Sequence, residues 1–132
     1  MTSQMILVVD DDSAILDLIA QVLIEEDYEI LTASNGRTAI DLAHEQMPRL
    51  ILLDLMMPEM NGWQVIDELR TSPRTCAIPV LLLSARREMA RTADELGVTA
   101  YIEKPFDIEE LLDRVRHILT LATMPPTRSA YT

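Results

Sequence analysis

The stretch Leu50-Ile51-Leu52-Leu53-Asp54 decides the reading: consecutive apolar residues without polar alternation, stopped by a carboxylate. A strand apolar at every position has both faces covered, which is the pattern of a parallel sheet between two layers of helix. Outward from it, Met5 to Val9 reads as a similar strand ending at Asp10-Asp11-Asp12, and Pro79 to Leu83 as another ending at Ser84. Glu29 to Ala33, closed by the turn Ser34-Asn35-Gly36, and Ala100 to Glu103, followed by Lys104-Pro105, complete five strands. Helical patterns lie between and after them. Ser13 is expected to cap a helix with Ile15, Leu18, Ile19, Val22 and Leu23 on one face. Residues Arg37 to Gln46, Trp63 to Arg70 and Arg87 to Leu96 carry the next helices, with Gly97 at a C-terminal cap position. Asp107 opens the last, with Ile108, Leu111, Leu112, Val115, Ile118 and Leu119 at helical spacing. Strand and helix alternating in this way predict an α/β fold, a doubly wound (βα)5 unit with a five-stranded parallel sheet and right-handed crossovers.

The length of 132 residues suits one domain, expected over 1–122, with a flexible Pro-containing tail at 123–132. With 48% hydrophobic residues, the chain can bury a core. Its 22 acidic against 11 basic residues, a net charge of −11, disfavour direct contact with nucleic acid or an anionic membrane. No apolar run approaches the ~18 residues of a membrane span, and no basic region precedes the N-terminal apolar stretch. The single cysteine, Cys76, cannot form an intramolecular disulfide, so a cytoplasmic location is expected. Charge is also uneven along the chain. Residues 1–36 hold eight acids and no base, and the only lysine among the eleven cations is Lys104.

Ligands of open α/β sheets bind beyond the carboxyl ends of the strands. There this chain places Asp10, Asp11, Asp54, Ser84 and Lys104. Asp12 is accounted for as a helix cap or a favourable charge at a helix N-terminus. Three carboxylates brought to one crevice repel one another and require a cation. All-oxygen donors suit a hard ion, with Mg²⁺ expected and Mn²⁺ as a substitute. A divalent ion, an ammonium and a hydroxyl around one carboxylate make an environment for a phosphoryl group. Met56, Met57 and Met60 read as loop fillers, since thioether sulfur does not suit Mg²⁺. Trp63 reads as packing at the start of its helix.

Four stretches together resemble a known family: Ile6 to Asp12, Leu53 to Gly62, Leu83-Ser84-Ala85, and Tyr101 to Phe106. The family is the receiver domain of two-component response regulators, similar to the chemotaxis response regulators, and the resemblance spans about residues 4–120. It implies a flavodoxin-like fold with strand order 2-1-3-4-5. Asp54 would be the phosphoacceptor, and Asp10, Asp11, Asp54 and the backbone carbonyl of Met56 would hold Mg²⁺, Asp10 through water. Lys104 would contact the phosphoryl group, with its bond to Pro105 cis. Ser84 would be the switch hydroxyl and Tyr101 the aromatic that turns inward with it. Arg86 stands where the family varies the group that modulates phosphoryl hydrolysis. The span from Ser84 to Lys104 is about half a helical turn shorter than the family's usual one.

The resemblance implies a stand-alone receiver with no enzymatic activity beyond its own phosphorylation and dephosphorylation. Upstream it would meet a sensor histidine kinase or a histidine phosphotransfer protein. Downstream, the surface of the fourth helix, fifth strand and last helix would signal to a protein effector, from a monomer or weak homodimer. Three alternatives stand beside it: an aspartate-nucleophile phosphatase, a phosphorylation-independent interaction module, and a flavin binder. The phosphatase is disfavoured because such enzymes carry the nucleophile in an Asp-x-Asp motif after the first strand and need an insert to cap the substrate. The intact set Asp10, Asp11, Asp54, Ser84 and Lys104 disfavours a degenerate module.

Overall fold

In the computed structural model, residues 4–84 and 100–123 are described. The strands are β1 (Met5–Val9), β2 (Glu29–Ala33), β3 (Leu50–Asp54), β4 (Val80–Ser84) and β5 (Ala100–Glu103). They form one parallel sheet in the order β2-β1-β3-β4-β5. Among the described residues the helices are α1 (Ser13–Glu25), α2 (Gly36–Gln46), α3 (Gly62–Arg70) and α4 (Ile108–Thr123). The expected helix at 87–96, Gly97 and Arg86 lie outside the described residues, as does the segment 124–132.

Alternation along the strands sorts the core into two layers. Leu7, Val9, Ile51, Leu53, Val80 and Leu82 pack toward α2 and α3. Ile6, Val8, Leu50, Leu52, Leu81 and Leu83 pack toward α1 and α4. Both layers are buried, which is why Leu50 to Leu53 of β3 are apolar without a break: neither face of them meets water. Each such Leu or Ile contributes roughly 1.5–3 kcal/mol by burial. Trp63 is half-buried against the first layer, as its packing role requires. No helix among the described residues is long and apolar enough to cross a membrane.

Local chemistry sets the boundaries. Asp12, not Ser13, caps α1: its extended backbone lets Oδ1 accept from the amides of Ala14 at 3.0 Å and Ile15 at 3.4 Å. A carboxylate there adds a favourable charge to the helix N-terminus, which a hydroxyl does not. Asn35 caps α2 through Thr38 N at 2.8 Å, and Asn61 and Gln64 form a reciprocal capping box at α3. At the other end of α2, the Arg74 guanidinium donates to the carbonyl of His44 at 2.7 and 3.1 Å. Strands β3 and β4 each run one residue further than the apolar pattern, taking Asp54 and Ser84 into the ladder opposite Leu83 and Glu103. The Asp54 carboxylate is thereby carried by the last residue of β3.

Candidate functional site

The site grows from the carboxyl ends of β1, β3 and β5. Asp10 leaves β1 fully buried, and its Oδ1 accepts from Asp12 N at 2.9 Å, fixing the turn into α1. Its Oδ2 is buried with no hydrogen-bond partner among the described residues and lies 3.5 Å from Lys104 Nζ. Asp54 is also buried. Its Oδ1 accepts from Lys104 Nζ and from Met56 N, each at 3.4 Å. Asp11 is exposed, yet carboxylate oxygens of Asp10, Asp11 and Asp54 all lie within 4.8 Å of one another.

One ammonium cannot balance this cluster. Burial, reinforced by the charge of Asp10, pushes the Asp54 carboxyl from 3.8 up to about 6, although Lys104 and the Met56 amide pull it down. A carboxylate beside a lysine normally sits low; here desolvation and like charge win. The orphaned Oδ2 of Asp10, three convergent carboxylates and an all-oxygen donor set fit a hard divalent cation such as Mg²⁺.

The loop between β3 and α3 is folded tightly around Asp54. Gly62 N donates to Leu55 O at 2.8 Å, and a Cβ at Gly62 would meet Leu55 Cα at 2.9 Å and Asp54 O at 3.2 Å. Only glycine permits that approach. Glu59, within the same loop, takes a left-handed φ of 67°. The three methionines divide: Met57 is buried and Met60 half-buried against the core, whereas Met56 is 55% exposed and fills nothing.

The structure therefore brings together Asp10, Asp11, Asp54 and Lys104, and the peptide between Lys104 and Pro105 is cis. Ser84 ends β4 beside β3, and Arg86 lies outside the described residues. Tyr101 is half-buried in β5 opposite Leu82, packed on the layer that covers α2 and α3. Its backbone carbonyl accepts from Arg114 of α4 at 3.2 Å, a contact without any signal in the sequence. Gly62 was legible as part of a motif, but its steric role was not.

The sequence pattern described as the response regulator receiver domain matches residues 6–116. The chain belongs to the response regulator receiver domain family. Among the relatives of this receiver, the DNA-binding dual master transcriptional regulator RpaA of Synechocystis is 41% identical over 116 residues, 86% of this chain and 48% of that protein. The transcriptional regulatory protein SrrA of Staphylococcus aureus is 42% identical over 119 residues, 89% of this chain and 48% of that protein. The receiver thus spans about half the length of these curated relatives. Among solved structures, a putative response regulator from Chloroflexus aurantiacus superposes with a TM-score of 0.85 at 28% identity, covering 90% of this chain and 99% of that one. Chemotaxis protein CheY4 of Vibrio cholerae gives 0.83 at 28% identity, covering 89% and 99%. These likenesses carry the flavodoxin-like topology along with the family.

Proposed function

We propose that this receiver accepts a phosphoryl group on Asp54 from the phosphohistidine of a sensor kinase or a histidine phosphotransfer protein, in a Mg²⁺-dependent reaction. The observation that carries the reading is the shared position of Lys104 Nζ, within 3.5 Å of two buried carboxylates, one of them with an orphaned oxygen. An Asp54 oxygen forms the bond to phosphorus as the phosphorus–nitrogen bond breaks, and the electron pair stays with the leaving imidazole nitrogen, which takes a proton. Lys104, already beside the acceptor, pairs with the phosphoryl oxygens. Asp10, Asp11, Asp54 and the Met56 carbonyl would hold Mg²⁺, which when bound neutralises charge on the transferred group. Mn²⁺ would substitute.

The added phosphoryl carries about −2 charge and new acceptor oxygens. Ser84, at the neighbouring strand end, and Tyr101, on the edge strand, form the switch, and the conformer that brings Ser84 and Lys104 to those oxygens is favoured. The altered surface around β5 and α4 signals to a downstream protein. A phosphatase with its nucleophile after β1 fits less well, because Asp10 is engaged in the β1–α1 turn. Incubation with a small phosphodonor and Mg²⁺, followed by intact mass, tests the proposal. A single adduct lost in Asp54→Ala and with chelator is expected; no adduct in the wild type overturns it.

A further inference from the structure

Three of the chain's eight methionines fall between positions 56 and 60, in the loop that follows Asp54. That loop is strained. Glu59 has its left-handed φ of 67°, and Met60 N donates to Pro58 O at 2.7 Å across it, the rare form of a three-residue turn. Such a conformation persists only where its surroundings hold it. Gly62 against Leu55 is one hold, and the Met60 side chain is the other. Gly36, buried in the first turn of α2, leaves the room that Met60 fills: a Cβ there would lie 2.8 Å from Met60 Sδ and 2.9 Å from its Cγ. Val65 Cγ2 of α3 closes the same space at 2.8 Å. The thioether thus seats the loop between α2 and α3.

A peroxide converts such an apolar thioether into a polar sulfoxide. We infer that Met60 is an oxidation site whose sulfoxide unseats this loop, so that peroxide lowers the capacity of the receiver to take a phosphoryl group. This rests on the phosphoacceptor reading of Asp54 and adds a means of regulating that site. The sulfur lone pair attacks one oxygen of hydrogen peroxide, an S–O bond forms and the O–O bond breaks. The departing hydroxide takes the proton shed by the transferred oxygen and leaves as water; sulfur is oxidised by two electrons and the peroxide reduced. The new oxygen demands a hydrogen bond that the apolar contact with Val65 and Gly36 does not supply. With the seat lost, the turn at Glu59 relaxes, and the loop whose Met56 amide donates to Asp54 Oδ1 shifts with it. The other thioethers of the described residues differ in kind. Met57 is buried away from peroxide, and the exposed Met56 and Met47 pack into neither core layer. Half-buried Met60 is both within reach and structurally engaged.

Stepwise titration of the intact protein with hydrogen peroxide, followed by peptide mass mapping, reads which sulfurs gain an oxygen. The amide resonances of Gly36 and Glu59 read the seat and the turn. Met60 should convert in the range that converts Met56 and Met47, before Met57. As it does, both resonances should shift and phosphorylation by a small donor should fall about tenfold, as expected for a small misplacement at a reacting group. Methionine sulfoxide reductase should reverse both changes. Met60→Leu, compared with its own untreated sample, should keep its rate through the same treatment, and Cys76→Ser, which lacks the exposed thiol, should lose its rate as the wild type does. The inference is overturned by Met60 remaining reduced where Met56 and Met47 are fully converted, by a Met60 sulfoxide that leaves both resonances in place, by an equal loss in Met60→Leu, or by a loss that disappears in Cys76→Ser. Absence of phosphorylation before any peroxide is added would instead overturn the phosphoacceptor reading, and the two resonances would still decide whether oxidation unseats the loop.

Discussion

Lys104 Nζ lies 3.4 Å from Asp54 Oδ1, a pairing between residues fifty positions apart, and it does not bring that carboxylate to an ordinary ionisation. The pair is a lysine working against burial and a second aspartate, and the first consequence concerns stability.

In Mg²⁺-free buffer at pH 7, Asp54→Asn should stabilise the protein by about 1–3 kcal/mol. The folded carboxyl titrates near 6 and the unfolded one near 3.8, so the folded state holds the extra proton between these values. Wild-type stability therefore falls relative to the variant as pH rises from about 3.8 through 6, and the difference shrinks toward zero below that window. Urea unfolding of both proteins across pH reads the effect. Added Mg²⁺ should narrow the gap by stabilising the wild type more.

Lys104→Met removes the cation shared by Asp10 and Asp54. Mg²⁺ should bind more tightly, by about tenfold, because no resident charge opposes it. Phosphorylation by a small donor should nonetheless fall by tenfold or more, of the order lost with one group that stabilises transition-state charge. Titration of Trp63 fluorescence and intact-mass kinetics separate the two effects. Loss of both together would mean that Lys104 serves chiefly to hold the site's shape.

Gly62→Ala should cost about 1–3 kcal/mol and slow phosphorylation. The new methyl would lie 2.9 Å from the backbone of Leu55, so the loop that follows Asp54 must shift. Thermal unfolding and the small-donor rate would show both losses.

The cap of α1 distinguishes two adjacent residues. Asp12→Ala should cost about 1 kcal/mol, whereas Ser13→Ala should fall within a few tenths, since only the Asp12 side chain meets the free amides. Denaturant midpoints of the two variants decide it.

Met47 ends α2 with a left-handed φ of 51° and a largely exposed side chain. Met47→Gly should raise stability by about 0.5–1 kcal/mol by relieving that conformation. A lowered melting temperature would show that the Met47 side chain contributes packing worth more than the strain.

The fold was legible because β3 carries its environment in its composition: Leu50 to Leu53 are apolar on both faces, and only a two-layered parallel sheet explains that. The convergence of the carboxylates was legible for the same reason, since Asp10 and Asp54 interrupt such runs where the strands open. What escaped was set by geometry rather than residue type. Asp12 and Ser13 are both good caps, and only the backbone angles choose between them. The extra strand residue at Asp54 comes from hydrogen bonding across to β4, which apolar patterning does not report. Likewise, the Arg114 contact with the Tyr101 carbonyl joins elements through a backbone atom common to every residue.

The triple aspartate ties the carboxylate pocket to helix α1. Asp10 grips the amide of Asp12 with one oxygen and faces the pocket with the other, while Asp12 grips the first turn of α1. A cation held in the pocket is therefore expected to steady the first turn of α1 through Asp10 and Asp12. Hydrogen exchange at the Ala14 and Ile15 amides becomes a remote gauge of pocket loading, slowing when a cation enters although neither amide touches it.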